Sequence, residues 1–250
     1  MTRQTYELND GLTISVDDQG DGTPILLLHG GGGFGTVAGF AAALAGSARV
    51  LTPSHPGFDG QPRPEWTDTI ADLAIAYLDL LDRLDLRDVV VIGNSAGGWL
   101  AAEMALHDNH QRITGLVLLN AAGIPGDIAD ANTMSPAEFL SLAWRTPPDL
   151  TALSDEQRGA MAANQQALRV YAGDPYCHDP KLPHRLHRIT VPVLVGWGEY
   201  DRVITVDYGR EYVSMFPHAQ FEVIADSGHL PQVEQPERTL EIIQKFVAGR

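Results

Sequence analysis

The chain has 250 residues, 44% of them hydrophobic and 20% charged, a length and balance that fit one large domain, or one domain with a modest insertion, and exclude a disordered chain. Its 17 Lys+Arg against 32 Asp+Glu leave a net charge of −15. Phosphate backbones and anionic membrane surfaces repel such a chain, so nucleic acid is not an expected partner and the acidity reads as solubility. A single cysteine, Cys177, excludes an internal disulfide framework and a thiolate metal cluster.

The opening Met1-Thr2-Arg3-Gln4 reads as lacking an apolar signal segment, and the longest nearly apolar run, Val37 to Gly46, is far too short to span a membrane. A cytoplasmic protein without membrane insertion is the expectation. Thr2–Leu8 and Leu12–Asp17 flank Asn9-Asp10-Gly11, a hairpin turn signal. Further strands are expected at Pro24–His29, Ala48–Thr52, Asp88–Gly93, Ile113–Asn120, Val191–Trp197 and Phe221–Ile224. Several are continuous aliphatic runs, the pattern of parallel strands covered on both faces. Helical spacing recurs in Ile70, Leu73, Ala74, Tyr77, Leu78, Leu81 and Leu84, and again over Ala96–His107, Val206–Phe216 and Arg238–Ala248. An eight-stranded, mostly parallel α/β sheet flanked by helices follows. The alternation breaks between Ile124 and Leu186, where Pro136–Trp144 and Ser154–Tyr171 read as helices separated by Pro147-Pro148. About sixty residues is too long for a plain loop, so 124–186 is expected to form a small helical lid over a core made of 1–123 and 187–250.

Gly93-Asn94-Ser95-Ala96-Gly97 lies between the strand DVVVIG and a helix. A serine on so tight a turn projects its hydroxyl above the sheet edge, and crowding makes small neighbours at two residues on either side obligatory. Ser95 is therefore a candidate nucleophile; the plainer reading is a helix N-cap. His29-Gly30-Gly31-Gly32-Gly33-Phe34-Gly35 follows another strand and satisfies G-x-G-x-x-G through Gly30, Gly32 and Gly35. The dinucleotide reading wants an acid ending the next strand, where Leu51-Thr52-Pro53 stands instead, and no Lys-Ser/Thr supports a phosphate loop. The remaining chemical reading is an oxyanion loop, with Gly31 first and Gly32 next as donors beside the Ala96 amide; a structural turn is the bland alternative.

A serine needs a base oriented by an acid. Of nine histidines, His229 stands on a loop expected at the carboxyl edge of the sheet, where ligands bind in open α/β sheets. Gly198-Glu199-Tyr200-Asp201 offers two acids; Asp201 is the first choice because a few residues past the strand are needed to reach back, and Glu199 is second. No metal-ligand spacing appears among the histidines, so neither a metal nor a cofactor is expected.

With HGGGG, the segment from Pro53 to Gly60, GNSAGG, GEYD and SGHLPQVEQPE in this order, the chain resembles the α/β-hydrolase fold superfamily over almost its whole length. The resemblance implies a cofactor-free Ser95–His229–Asp201 acyl-transfer mechanism on a small-molecule substrate. A small to medium, largely apolar ester is the expected one, with Phe34, Trp99, Met134, Phe139 and Trp144 as candidate pocket residues. Two alternatives stay open. Carbon–carbon bond hydrolases of ring-fission products share the glycine run, Asn94 and Asp201-Arg202-Val203, but usually carry Trp where this chain has Leu230. Some members of the fold instead sense a ligand with little turnover.

Overall fold

The computed structural model describes residues 2–9 and 11–250. Eight strands, β1 (Thr2–Glu7), β2 (Thr13–Gln19), β3 (Pro24–Leu28), β4 (Arg49–Ser54), β5 (Val89–Asn94), β6 (Ile113–Leu119), β7 (Val193–Gly198) and β8 (Ala219–Ile224), form one sheet in the order β1-β2-β4-β3-β5-β6-β7-β8. β2 runs antiparallel to both of its neighbours, and every other pairing is parallel. Asp10, in the expected hairpin turn, lies outside the described residues.

The aliphatic runs explain the sheet. Side chains alternate faces along a strand, and each face here has its own core. Leu26, Leu28, Val89 and Val91 pack with α2 (Ile70–Arg83) and α3 (Ala96–His107). Ile25, Leu27, Val90 and Ile92 pack with α1 (Ala38–Leu44) and the last helix, α8 (Pro236–Ala248), which follows the short α7 (Pro231–Glu234). Both faces are thus closed to water, which is why these strands carry no polar alternation. α2 starts where it does because Thr69 Oγ1 accepts from the Asp72 N–H at 3.1 Å while Asp72 Oδ2 accepts from the Thr69 N–H at 3.0 Å. Such a reciprocal cap contributes about 1 kcal/mol.

Between β6 and β7 the chain leaves the sheet and forms α4 (Pro136–Ala143) and α5 (Asp155–Ala172), before α6 (Val206–Val213) joins β7 to β8. Ser135 caps α4 and Ser154 caps α5, each with a return bond from the third helical residue. No helix among the described residues is long and apolar enough to cross a membrane.

The order of strands brings the candidate site residues to one edge. From β3 the chain passes to β4 on one side through α1; from β5 it passes to β6 on the other side through α3, on the opposite face. The loops after β3 and β5 therefore part company at one switch point, the place where an open α/β sheet presents a crevice. The glycine run leaves β3 there, and Ser95 leaves β5.

Candidate active site

Ser95 adopts φ 57° and ψ −122°, a left-handed backbone that a side chain-bearing residue enters only at a cost of about 1–3 kcal/mol. Its surroundings hold it there. The Ser95 N–H donates to Leu119 O at 3.0 Å, and Ser95 O accepts from the Ala122 N–H at 3.1 Å, so the end of β6 and the loop after it clamp the turn from both directions. The backbone is packed so tightly that a Cβ on Gly93 would lie 2.1 Å from Gly97 O, and one on Gly97 would lie 2.5 Å from the carbonyl oxygens of both Leu28 and His29. Small residues at these two places are thus a steric requirement of the turn.

The β3 loop passes directly alongside: a Cβ on Gly30 would lie 2.8 Å from Ser95 Cβ. The amides of Gly31, Gly32 and Ala96 donate to no acceptor among the described residues. Ala96 opens α3, where the helix dipole adds to the pull on negative charge.

His29 and His55 stiffen this loop from beneath. His29 Nδ1–H donates to Gly30 O at 2.7 Å, leaving Nε2 to accept from the His55 N–H at 3.1 Å. His55 Nε2–H donates to His29 O at 2.9 Å, and its Nδ1 accepts from the Tyr77 hydroxyl at 2.5 Å. Burial drives His29 down to about 4 and His55 well below the usual imidazole range, the His55 shift being reinforced by its neighbour His29. Both rings are neutral, and every ring nitrogen has a partner.

His229 and Asp201 meet in a buried pair, Nδ1 to Oδ2 at 2.7 Å. Asp201 is fixed by its own loop, since Oδ1 accepts from the amides of Val203 at 2.8 Å and Ile204 at 3.1 Å. Oδ2 also accepts from Asn120 Nδ2 at 2.7 Å. A carboxylate filled with donors in this way keeps the proton on His229 Nδ1 and leaves the Nε2 lone pair free. Asn94 Nδ2 donates to His229 O at 3.0 Å, which brings the histidine loop up against the residue preceding Ser95. Glu199 faces elsewhere: it is exposed and accepts from the Asp226 N–H at 3.3 Å.

A narrow apolar cleft of about 10 Å³, room for one water-sized group, runs beside Gly30 and Ala96 under Phe58, Leu100, Leu168 and Tyr171. Phe34, Trp99, Met134, Phe139 and Trp144, expected to form the pocket, are not among the residues that line this cleft. Phe34 lies against Arg3, with the guanidinium carbon 5.4 Å from the ring centroid. Trp99 packs beneath Gly123 and points its Nε1–H at Glu103 Oε1, 3.4 Å away. Phe139 and Trp144 pack half-buried on the larger core, and Met134 is half-buried ahead of α4. The two lining residues that come from α5, Leu168 and Tyr171, share one face of it with Asn164 at helical spacing, a signal present in the sequence. Cys177 is buried, its thiol pushed up to about 12 by desolvation, which keeps it protonated and inert. Among the described residues no cluster of three or more His, Cys, Asp or Glu could hold a metal ion.

This combination of sheet and elbow turn defines a class. The model of the "Alpha/beta hydrolase family" matches residues 25–242, and the chain belongs to that family. It is 27% identical over 258 residues to the 2-hydroxymuconate semialdehyde hydrolase of Pseudomonas putida, covering 95% of this chain and 92% of the relative. In structure it is similar to the meta-cleavage product hydrolase of Pseudomonas fluorescens, with TM-score 0.80, 22% identity, and 96% and 95% of the two chains covered. It is similar too to a thermophilic esterase from Thermogutta terrifontis, with TM-score 0.71, 23% identity, and 100% and 99% covered.

Proposed function

We propose that this hydrolase cleaves small, largely apolar carboxylic esters through a serine acyl-enzyme, with Ser95 as nucleophile, His229 as base and Asp201 as its orienting acid. The observation that carries the reading is the pairing of a left-handed Ser95 with a buried His229–Asp201 couple whose loop is tied to Asn94. Ser95 Oγ attacks the carbonyl carbon as its proton passes to His229 Nε2. The amides of Gly31 and Ala96, with Gly32 in reserve, hold the oxyanion. Collapse expels the alkoxide, which takes the proton from His229. Water then repeats the sequence on the acyl-enzyme: His229 accepts its proton, and Ser95 Oγ leaves as the free acid forms. Asp201 keeps the imidazole tautomer fixed and stabilises its cation. Segment 124–186 acts as the lid, with α5 over the cleft.

The apolar lining of the cleft suits an apolar acyl group. Leu230, beside His229 where the ring-fission hydrolases usually carry Trp, favours the ester reading. Carbon–carbon bond hydrolysis is the second reading, supported by the near full-length similarity to the Pseudomonas putida hydrolase. A panel of p-nitrophenyl esters, run beside a 2-hydroxy-6-oxo-dienoate and with Ser95→Ala as control, separates them. Ester turnover that falls by about 10³-fold or more in folded Ser95→Ala is expected. Faster cleavage of the dienoate than of any ester would move the assignment to the second reading, and near-normal ester turnover by Ser95→Ala would end both.

A further inference from the structure

We infer that Leu168 is the size filter of the acyl subsite, restricting the enzyme to short-chain acyl groups; this rests on the serine hydrolase reading above. The cleft beside Gly30 and Ala96 adjoins both the Ser95 turn and the amide-bearing loop, which suits it to receive the group attached to the reacting carbonyl. Its volume of about 10 Å³ admits little more than a methyl group. One side chain sets that limit from above. A Cβ on Gly31 would lie 2.5 Å from Leu168 Cδ2, so the leucine rests directly on the oxyanion loop. It is buried, and it descends from α5 as a roof.

The roof is pinned on both sides along the same helix face. One turn before Leu168, the buried Asn164 donates through Nδ2 to Gly32 O at 3.3 Å and to Asp59 Oδ1 at 3.0 Å, and its Oδ1 accepts from the Asp59 N–H at 2.8 Å. Asp59 in turn accepts from the Phe34 N–H at 2.9 Å, closing a ring of bonds around the glycine run. One turn after Leu168, the Tyr171 hydroxyl donates to Pro56 O at 3.0 Å. These ties hold the α5 backbone over the loop, so the helix that carries Leu168 does not recede to make room for a longer chain. The floor cannot recede either, because His55 and Tyr77 lie locked in the imidazole network below.

The test uses p-nitrophenyl alkylphosphonates carrying methyl or hexyl on phosphorus. These label a nucleophilic serine whatever the natural substrate: the Oγ–P bond forms as the bond to nitrophenolate breaks, and the Oγ proton passes to His229. In the parent protein methyl should react faster than hexyl by about tenfold or more, the discrimination a few methylenes bring in a closed apolar pocket. Leu168→Ala should cut that ratio about tenfold by speeding the hexyl reaction, and Leu168→Phe should raise it. Leu168→Val, the milder truncation, serves where the alanine variant does not fold. A ratio unchanged in both truncations overturns the filter alone. No labelling of any protein by either probe overturns the serine hydrolase reading, and the filter with it.

Discussion

Acid should destabilise this fold through the imidazoles beneath the glycine loop, and His29 gives the size of the effect. In the native state its Nε2 must stay unprotonated to accept the His55 N–H, and burial holds the ring near 4. In the unfolded chain the same ring titrates near its ordinary value of 6.5. Between these values the unfolded state binds one more proton than the native state, so stability is intact above about 6.5 and declines as pH falls towards 4. Lowering pH from 7 to 5 therefore removes about 2 kcal/mol through His29 alone, and His55 shifts in the same direction. The chain's net charge of −15 works against this, because acidification also relieves self-repulsion. A difference measurement cancels that background. Urea unfolding of the parent and of His29→Gln, whose amide can both donate to Gly30 O and accept from His55, should be run at pH 7 and pH 5. The parent should lose about 2 kcal/mol more than the variant across that interval, a midpoint difference on the order of 1 M. Equal losses in the two proteins would refute a neutral, buried His29.

Two further perturbations test the frame of the site. Asp201→Asn keeps the shape but offers His229 the wrong hydrogen-bond partner, and ester turnover should fall by about 10⁴-fold with little change in thermal unfolding; unimpaired turnover would reopen the choice of acid. Gly97→Ala should fail to form the elbow, since its methyl would meet two backbone oxygens at 2.5 Å, whereas Gly35→Ala, with nothing within 4 Å, should unfold within about 0.5 kcal/mol of the parent. Circular dichroism and thermal melts read both, and equal stability of the two variants would contradict the packing described.

The sheet was legible because its chemistry is local. Aliphatic runs such as Val89–Ile92 can be buried on both faces only in a central strand, and the small residues around Ser95 are dictated by backbone contact within a few positions. α1 was harder to see: Ala38–Leu44 has no polar face, so it reads as an apolar run, and a helix only in context. β4 extends past Thr52 through Pro53 and Ser54, beyond the point where a proline suggests a stop. The direction of the Phe34 ring was not legible, because neighbourhood in sequence says nothing about direction; the 3₁₀ turn Phe34–Thr36 carries the ring towards β1 and Arg3. Asn120 left no signal at all. It sits at φ 47° at the end of β6, accepts from the Gly198 N–H at 3.2 Å and donates to Asp201. Its partners lie far along the chain, on β7 and the loop after it, and only tertiary contact unites them.

The segment between β6 and β7 is bound to the site at both of its helices, and this sets what its movement can do. At the end of α4, Ala143 O accepts from the His229 N–H at 2.6 Å, and Leu142 O accepts from the Arg202 N–H at 3.1 Å. Beyond them Glu234 accepts through one oxygen from Arg145 and Thr146, at 2.9 and 3.1 Å, and through the other from Gly228 at 2.7 Å. One carboxylate thus joins the start of the α4–α5 connection to the residue preceding His229. At the other helix, Asn164 grips the loop that carries Gly31 and Gly32. Displacing α4 pulls on the histidine loop, and displacing α5 pulls on the amide-bearing loop. Lifting either helix would therefore loosen the groups that flank Ser95, and they would regain their geometry only when the segment is seated again. On the proposed acyl-enzyme reading, closure over the acyl group and assembly of the site are, by these hydrogen bonds, one event.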